Sequence, residues 1–300
     1  MISIAMATYN GAKYLREQID SILTQTVQNF ELIICDDCST DCTLEIANEY
    51  ADKDNRIQVF VNDENLGYRK NFEKAALMCK GDLVAFCDQD DIWLPNHLAV
   101  LSENIGGRDV CTANAEIIDG EGMSLGFKLS DFTRLYYWPN RSLDQAYTFW
   151  YYRNPFPGCN TLFRKALLQK AYPIVNDNIR YHDTWVDTLA CLCGNGISYI
   201  DQVTMLYRFH NNSVTSGLRR ISRQNPARCL LSKFLFGTRS YVVDRKYYCQ
   251  EISENDFPLS AEQKSFHCCA VKYHNHRGSF WGRTMNLLFD IRHFRNIYNL

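Results

Sequence analysis

The sequence predicts an α/β protein: a mostly parallel, mixed sheet flanked by helices, followed by a helical C-terminal extension. Strand-like and helix-like runs alternate through the first hundred residues, the order expected of βαβ units. The 300 residues are 46% hydrophobic and 22% charged, enough to fill a sizeable core. That composition excludes wholesale disorder, a collagen-like repeat and a small disulfide-stapled fold. Two of the expected strands run into acidic turns, which places polar chemistry at one edge of the sheet.

The elements follow in order. Ile2–Ala7 is strand-like, and Leu15, Ile19, Ile22 and Leu23 follow at helical spacing. Glu31–Asp36 is a second strand, followed by a helix from about Asp41 to Ala51 with Asp41 as its cap. Ile57–Val61 is a third strand, and Phe72, Ala75, Ala76 and Cys79 share one face of the next helix. Asp82–Cys87 is a fourth strand. Asp109–Ala115 reads as another, whereas Met123 to Pro157 has no clear period. A helix is expected over His182–Cys193, then two closing strands at Ile197–Ile200 and Val203–Tyr207. The expected division is residues 1–217, in two halves that meet at about 105, and a helical region over 218–300.

The net charge of −2 hides an asymmetry. Leu218 to Leu300 carry 14 Lys/Arg against 6 Asp/Glu, a net of +8, which leaves −10 for the first 217 residues. The balance of the whole chain argues against nucleic acid as a partner. The basic tail mixes Arg219, Arg220, Arg223 and Arg228 with Leu230, Leu231, Phe234, Leu235 and Phe236, and later Phe280 and Trp281 with Arg283, Arg292 and Arg295. Such a pattern fits two alternatives: a helix lying in the cytoplasmic membrane surface, or helices packed on the main domain with a solvated basic face. The N-terminus lacks a basic region and a long apolar run, so no signal peptide is expected. No run of 18 apolar residues occurs. The 13 Cys are odd in number and scattered through apolar runs, so a reducing cytoplasm is the expected compartment.

The chemistry concentrates at strand ends. Ile33-Ile34-Cys35 runs into Asp36-Asp37, Val84-Ala85-Phe86-Cys87 into Asp88-Gln89-Asp90-Asp91, and the first strand ends in Thr8-Tyr9-Asn10-Gly11. In open α/β sheets ligands sit outside the carboxyl ends of the strands. Clustered carboxylates repel each other unless a cation or donors compensate. Asp88 and Asp90 on a tight turn suit Mg2+ or Mn2+, hard ions that take carboxylate oxygen and keep positions open for phosphate. The bland alternative is turn residues and helix caps, and Asp91 is a candidate cap.

Taken together, Ile2–Asn10, Asp36-Asp37-Cys38-Ser39-Thr40-Asp41, Asn65-Leu66-Gly67 and Asp88-Gln89-Asp90-Asp91-Ile92-Trp93 resemble the ordered motifs of family 2 glycosyltransferases. A second block, Pro157-Gly158-Cys159-Asn160, His182-Asp183-Thr184-Trp185 and Tyr207 to Val214, is similar to the rhamnosyltransferase-like branch. The likeness reaches about residue 217. It implies the GT-A, Rossmann-like nucleotide-sugar fold and a metal-dependent inverting transfer. The sugar would pass from a nucleoside-diphosphate donor to a glycan or lipid-linked glycan acceptor, in surface polysaccharide synthesis (capsule or O-antigen).

The resemblance also implies roles. Asp37 contacts the nucleotide base, with Tyr9 lining that pocket, Asp36 beside it and Ala7 approaching through its backbone. Asn65 and Gly67 form a loop at the nucleotide edge, with Asn71 nearby. Asp88 reaches the ribose or the metal, and Asp90 is the principal metal ligand. Asp183 is the catalytic base that takes the acceptor's proton, although the family's usual Glu-Asp is His182-Asp183 here. Arg208 and His210 face the phosphates or the metal, with a surface-loop position the alternative for His210; Arg suits phosphate through its planar fork. His182 and Trp185 are expected at the acceptor site, with a core position the alternative for Trp185.

Competing classes are weaker. Cys35, Cys38 and Cys42 have spacing that invites a cysteine-based metal or redox binding module, but no fourth ligand is near and Cys35 falls in a buried strand. A sugar-nucleotide pyrophosphorylase would carry a Gly-rich basic triphosphate loop, for which Thr8 to Lys13 is a poor substitute. A degenerate, non-catalytic nucleotide-sugar binder would lack acids that this chain retains.

Overall fold

The computed structural model describes residues 1–133, 138–151, 154–210, 247–248, 250–255 and 257–276. Its centre is one nine-stranded sheet in the order β3-β2-β1-β4-β8-β6-β9-β5, with β7 added on β6. The strands are β1 (Ile2–Thr8), β2 (Phe30–Asp36), β3 (Ile57–Val61), β4 (Leu83–Cys87), β5 (Ile92–Trp93), β6 (Val110–Asp119), β7 (Ser124–Lys128), β8 (Thr161–Arg164) and β9 (Ile197–Phe209). The helices are α1 (Ala12–Leu23), α2 (Thr43–Ala51), α3 (Gly67–Met78), α4 (His97–Asn104), α5 (Leu129–Thr133), α6 (Ser142–Tyr151), α7 (Lys165–Ala171), α8 (His182–Cys193) and α9 (Ala261–His276).

Strands β1 to β4 pair in parallel, and each is linked by a helix to the next. Alternation along them fills both faces. Ile4, Met6, Leu32, Ile34, Ala85 and Cys87 pack on one side against α1. Ala5, Ile33, Cys35, Val84 and Phe86 pack on the other with α3 and α8. Every residue of β2 is buried, which is why it reads as an unbroken apolar run rather than an alternating one.

Strand order reverses at β1, which has β2 on one side and β4 on the other. Its register sets Thr8 beside Asp36 and Met6 beside Cys87. The acidic turns after β2 and β4 therefore flank the end of β1, at the switch point where such sheets bind ligands.

Beyond β4 the sheet is mixed: β8 is antiparallel to β4 and β6, while β9 is parallel to β6. The two expected closing strands are one, because the register skips Asp201 and Gln202 between Ala113↔Ile200 and Asn114↔Val203. Those polar residues mimic a turn in the sequence. They are absorbed as a bulge, with Asn114 Nδ2 donating to Asp201 Oδ1 at 2.6 Å. Helix α2 starts at Thr43 with Cys42 as cap residue, two positions after the expected start. Asp41 still accepts the Thr43 amide, at 3.0 Å. The aperiodic stretch from Met123 holds β7, α5 and α6; β7 lies wholly exposed, so it has no buried face to pattern it.

Most of the basic C-terminal region, including 211–246 and 277–300, lies outside the described residues. In its described part Tyr248, Ile252 and Phe266 join the α8 core, and Phe257 packs against it. The basic aromatic runs at 219–236 and 280–295 that carry the two alternatives all lie outside the described residues. No helix among the described residues is long and apolar enough to cross a membrane.

Candidate active site

Asp36 and Asp37 end β2 with different tasks. Asp36 is fully buried and accepts from the Thr8 hydroxyl at 2.9 Å, the Ser39 amide at 2.9 Å and the Ser39 hydroxyl at 2.6 Å. Asp37 accepts the α3 N-terminal amides of Leu66 and Gly67, both at 2.8 Å, and the Asn62 side-chain amide at 2.7 Å. A carboxylate at a helix N-terminus satisfies orphan N–H groups and the dipole together. Gly67 takes φ +77° at this junction, a left-handed conformation that favours glycine. Asn65 donates to the Asp37 carbonyl and accepts the Gly67 amide, each at 3.1 Å. Asn71 is buried, donating to the Cys35 carbonyl at 2.8 Å and accepting from Asn62 at 2.9 Å. It braces Asn62, and through it Asp37, from behind. Ala7 is half-buried next to Cys35, and the Tyr9 ring is exposed at the mouth.

The turn after β4 is tied to β1 by Gln89. Its amide accepts the Tyr9 N–H at 2.9 Å and donates to the Tyr9 carbonyl at 3.0 Å. Asp88 is half-buried, and its carboxyl is pushed up to about 7, by burial first and then by the charges of Asp90 and Asp183, against a lowering contact from the Cys159 thiol. Asp91 is buried and its carboxyl is also raised, by burial and then by Asp90 and Asp88. It is no helix cap: Oδ1 accepts the Arg208 amide at 2.9 Å, and Oδ2 has no hydrogen-bond partner. Asp90 Oδ2 accepts from His210 Nε2 at 2.7 Å.

These residues fit a divalent cation. Asp88, Asp91 and Cys159 each offer a ligand atom within 4.8 Å of the others. The orphaned Asp91 oxygen and the repulsion among the acids both mark a place where positive charge would be stabilising. The carboxylate donors suit Mg2+ or Mn2+. The group that the geometry gathers there is Asp88, Asp91 and Cys159, while Asp90 and His210, the other expected ligands, pair with each other.

Asp183 stands in the first turn of α8. Its Oδ1 accepts the Thr184 amide at 2.6 Å, and its Oδ2 accepts the Gly158 amide at 3.1 Å. Gly158 lies so close that a Cβ there would meet the Asp183 Cβ at 2.9 Å. The charge of Asp183, like that of Asp90, raises the Asp88 carboxyl, so the three acids are near enough to interact. Behind it Asp187, buried and protonation-prone from burial and from Asp183's charge, accepts from Asn154 at 2.9 Å.

Three expected site residues are elsewhere. The His182 ring is buried, stacks on Phe72 with centroids 4.5 Å apart, and has its pKa lowered, first by burial. Trp185 is 2% exposed, donates Nε1–H to the Ala171 carbonyl at 3.0 Å and packs on Tyr248 and Phe257. Neither ring lines an acceptor pocket: the helical spacing that brings Asp183 to the cleft turns residues 182 and 185 into the core. Trp185→Ala is accordingly expected to cost about 3–5 kcal/mol of stability, measured by urea unfolding. An unfolding midpoint equal to wild type with transfer lost would instead return Trp185 to the acceptor site. Arg208 is the third, 3% exposed, with its guanidinium bonded to the Asp90 carbonyl and to Glu17 of α1.

Gln89, Asp91, Gly158 and Cys159 were not expected in the site, though all stand inside the quoted motifs. Cys35, Cys38 and Cys42 do not converge: the Cys35 thiol lies 4.0 Å from Met78 Sδ, Cys38 donates to the Asn62 carbonyl, and Cys42 is exposed. A cavity of about 670 Å³ runs along α3 between Leu66, Leu77, Ile174 and Val175, and none of the strand-end acids lines it.

Comparison with known proteins gives the family and the fold. The model of the family described as Glycosyl transferase family 2 matches residues 3–170. The putative glycosyltransferase EpsH of Bacillus subtilis is 28% identical over 226 residues, 71% of this chain and 62% of the relative. The putative teichuronic acid biosynthesis glycosyltransferase TuaG of the same organism is 38% identical over 98 residues, 33% of this chain and 39% of the relative. The chain thus spans less than two thirds of either relative. Among solved structures, Staphylococcus aureus TarS 1-349 in complex with UDP-GlcNAc has a TM-score of 0.60 at 21% identity, covering 93% of this chain and 73% of that one. The mannosyltransferase PcManGT from Pyrobaculum calidifontis, in complex with GDP-Man and Mn2+, has 0.59 at 14%, covering 96% and 87%. At these identities the likeness is one of fold, the GT-A fold.

Proposed function

The chain belongs to glycosyl transferase family 2, and from that premise we propose that it performs an inverting, Mg2+- or Mn2+-dependent transfer of a sugar from a nucleoside-diphosphate donor to a hydroxyl of a glycan or lipid-linked glycan. The observation that supports this reading is the sheet register, which brings the acidic turns after β2 and β4 to either side of the end of β1, with Asp88 and Asp91 clustered on the second of them. Asp183 takes the proton of the acceptor hydroxyl as that oxygen bonds to the anomeric carbon. The bond from that carbon to the phosphate oxygen breaks, and the nucleoside diphosphate leaves with the electron pair. A bound divalent ion supplies Lewis-acid neutralisation of the departing diphosphate. The loop of Asn65 and Gly67, held by Asp37, and the exposed Tyr9 ring border the nucleotide, with Ala7 at the strand end beneath.

The role in surface polysaccharide synthesis, capsule or O-antigen, belongs to the same proposal. So do the cytoplasmic location, contact of the basic tail with the membrane surface, and the division at about residue 217. The His182-Asp183 form and Pro157–Asn160 motif favour a deoxyhexose donor of the rhamnosyltransferase-like branch. The test is a panel of UDP-, GDP- and dTDP-sugars scored by thermal unfolding with and without Mn2+ or Mg2+. A ligand that binds only the native state raises its stability. One nucleotide class is expected to protect, and to need the metal; no protection by any donor under either condition would defeat the reading.

A further inference from the structure

Arg208 spends its donors on the protein. Nε donates to the Asp90 carbonyl at 2.7 Å, Nη1 to the Asp119 carbonyl at 3.4 Å, and Nη2 to Glu17 of α1. Its main-chain amide bonds Asp91 Oδ1 at 2.9 Å. The guanidinium carbon lies 4.7 Å over the Tyr14 ring, whose centroid is 5.1 Å from that of His210. This follows from pairing: β5 and β9 run antiparallel with Ile92 opposite Leu206, so two residues further along, Asp90 comes opposite Arg208. One buried side chain thus grips the backbone of the acidic turn, while its own backbone holds the next carboxylate.

We infer that Arg208 is a positioning residue for the cation site: it fixes the Asp90-Asp91 turn from behind, and Glu17 fixes and neutralises Arg208. The inference rests on the metal-dependent transfer proposed above. A carboxylate's aim is set by its backbone, and here the Asp90 carbonyl is anchored to a fork whose planarity leaves it little freedom. A guanidinium beside a dication would oppose its binding. Glu17 cancels that charge, and with its side chain 54% exposed it adds little to the core. Partners outside the ligand sphere that orient ligands are typically worth about 10–100-fold in metal affinity.

The experiment measures Mn2+ binding to the nucleotide-free protein by the electron paramagnetic resonance of free Mn2+, for wild type, Arg208→Lys and Glu17→Gln. Donor KM at saturating Mn2+ and urea unfolding accompany it. Arg208→Lys is expected to weaken Mn2+ about 10–100-fold, and Glu17→Gln to weaken it less, in the same direction. Donor KM at saturating Mn2+ should stay at the wild-type value in both. Should Arg208→Lys fail to fold, Glu17→Gln decides alone. Unchanged Mn2+ affinity in the folded variants overturns the inference. So does a raised donor KM with Mn2+ affinity intact, which would make Arg208 a phosphate ligand. A wild type that binds neither Mn2+ nor Mg2+ overturns the metal-dependent reading itself, and the inference falls with it.

Discussion

Asp183→Asn is expected to lower the transfer rate by about 10²–10⁴-fold, the usual contribution of a positioned general base, while donor binding persists. The substitution keeps shape and removes charge. Asn can still accept one of the two amides, Gly158 or Thr184, that hold the carboxylate, so the start of α8 should stay in place. The charge of Asp183 also raises the proton affinity of Asp88. Without it Asp88 ionises more readily, and a cation competes with fewer protons. Metal-dependent protection by the donor should therefore equal or exceed that of wild type at neutral pH. Radiolabelled sugar transfer and thermal unfolding, measured on the same preparation, separate the two effects. Wild-type turnover in Asp183→Asn would remove the residue from the base's role.

Asp90→Ala is expected to abolish metal-dependent protection and with it the donor's effect on unfolding. At a ligand concentration of 100 times Kd that protection is about 2.7 kcal/mol, so the loss is easily measured. The same variant should carry an opposite signature without metal. Asp88 has its carboxyl raised from 3.8 to about 7 by burial and then by Asp90. A group that binds its proton more tightly when folded makes the folded state lose stability as pH rises between those two values, and the loss is complete above about 7. Removing Asp90 weakens the second cause. The metal-free variant should thus lose less stability than wild type between about pH 4 and 7, read from unfolding midpoints across that range. A variant still protected by Mn2+ as strongly as wild type would take Asp90 out of the metal site.

The N-terminal half was legible because each of its elements carries its own period. Ile57–Val61 has the same limits in sequence and structure, and Ile2–Ala7 differs by one residue from Ile2–Thr8. Helix α8 agrees over His182–Cys193, since Val186, Leu189 and Ala190 face one core. Beyond Met123 the reading failed where packing, not pattern, makes the structure. Strand β7 has no buried face, and β9 survives a polar interruption because β6 absorbs it as a bulge.

The candidate site divides in the same way. Acids at strand ends could be named from the sequence, because a parallel sheet delivers successive strand ends to one edge, whatever lies elsewhere. Which neighbouring side chains turn toward that edge could not. Arg208 and Trp185 carry chemistry suited to phosphate and sugar, yet strand pairing directs one onto Glu17 and the Asp90 backbone, and helix rotation buries the other against Tyr248. Cys159 reads as an ordinary small core residue until β8 sets it beside Asp88 and Asp91. Sequence by itself determined the order of elements, the acidic edge and the resemblance that relates them, all encoded in local periodicity and contiguous motifs. Tertiary structure alone decided which residues between distant segments share a space, since register and burial are set by pairings whose partners lie a hundred residues apart.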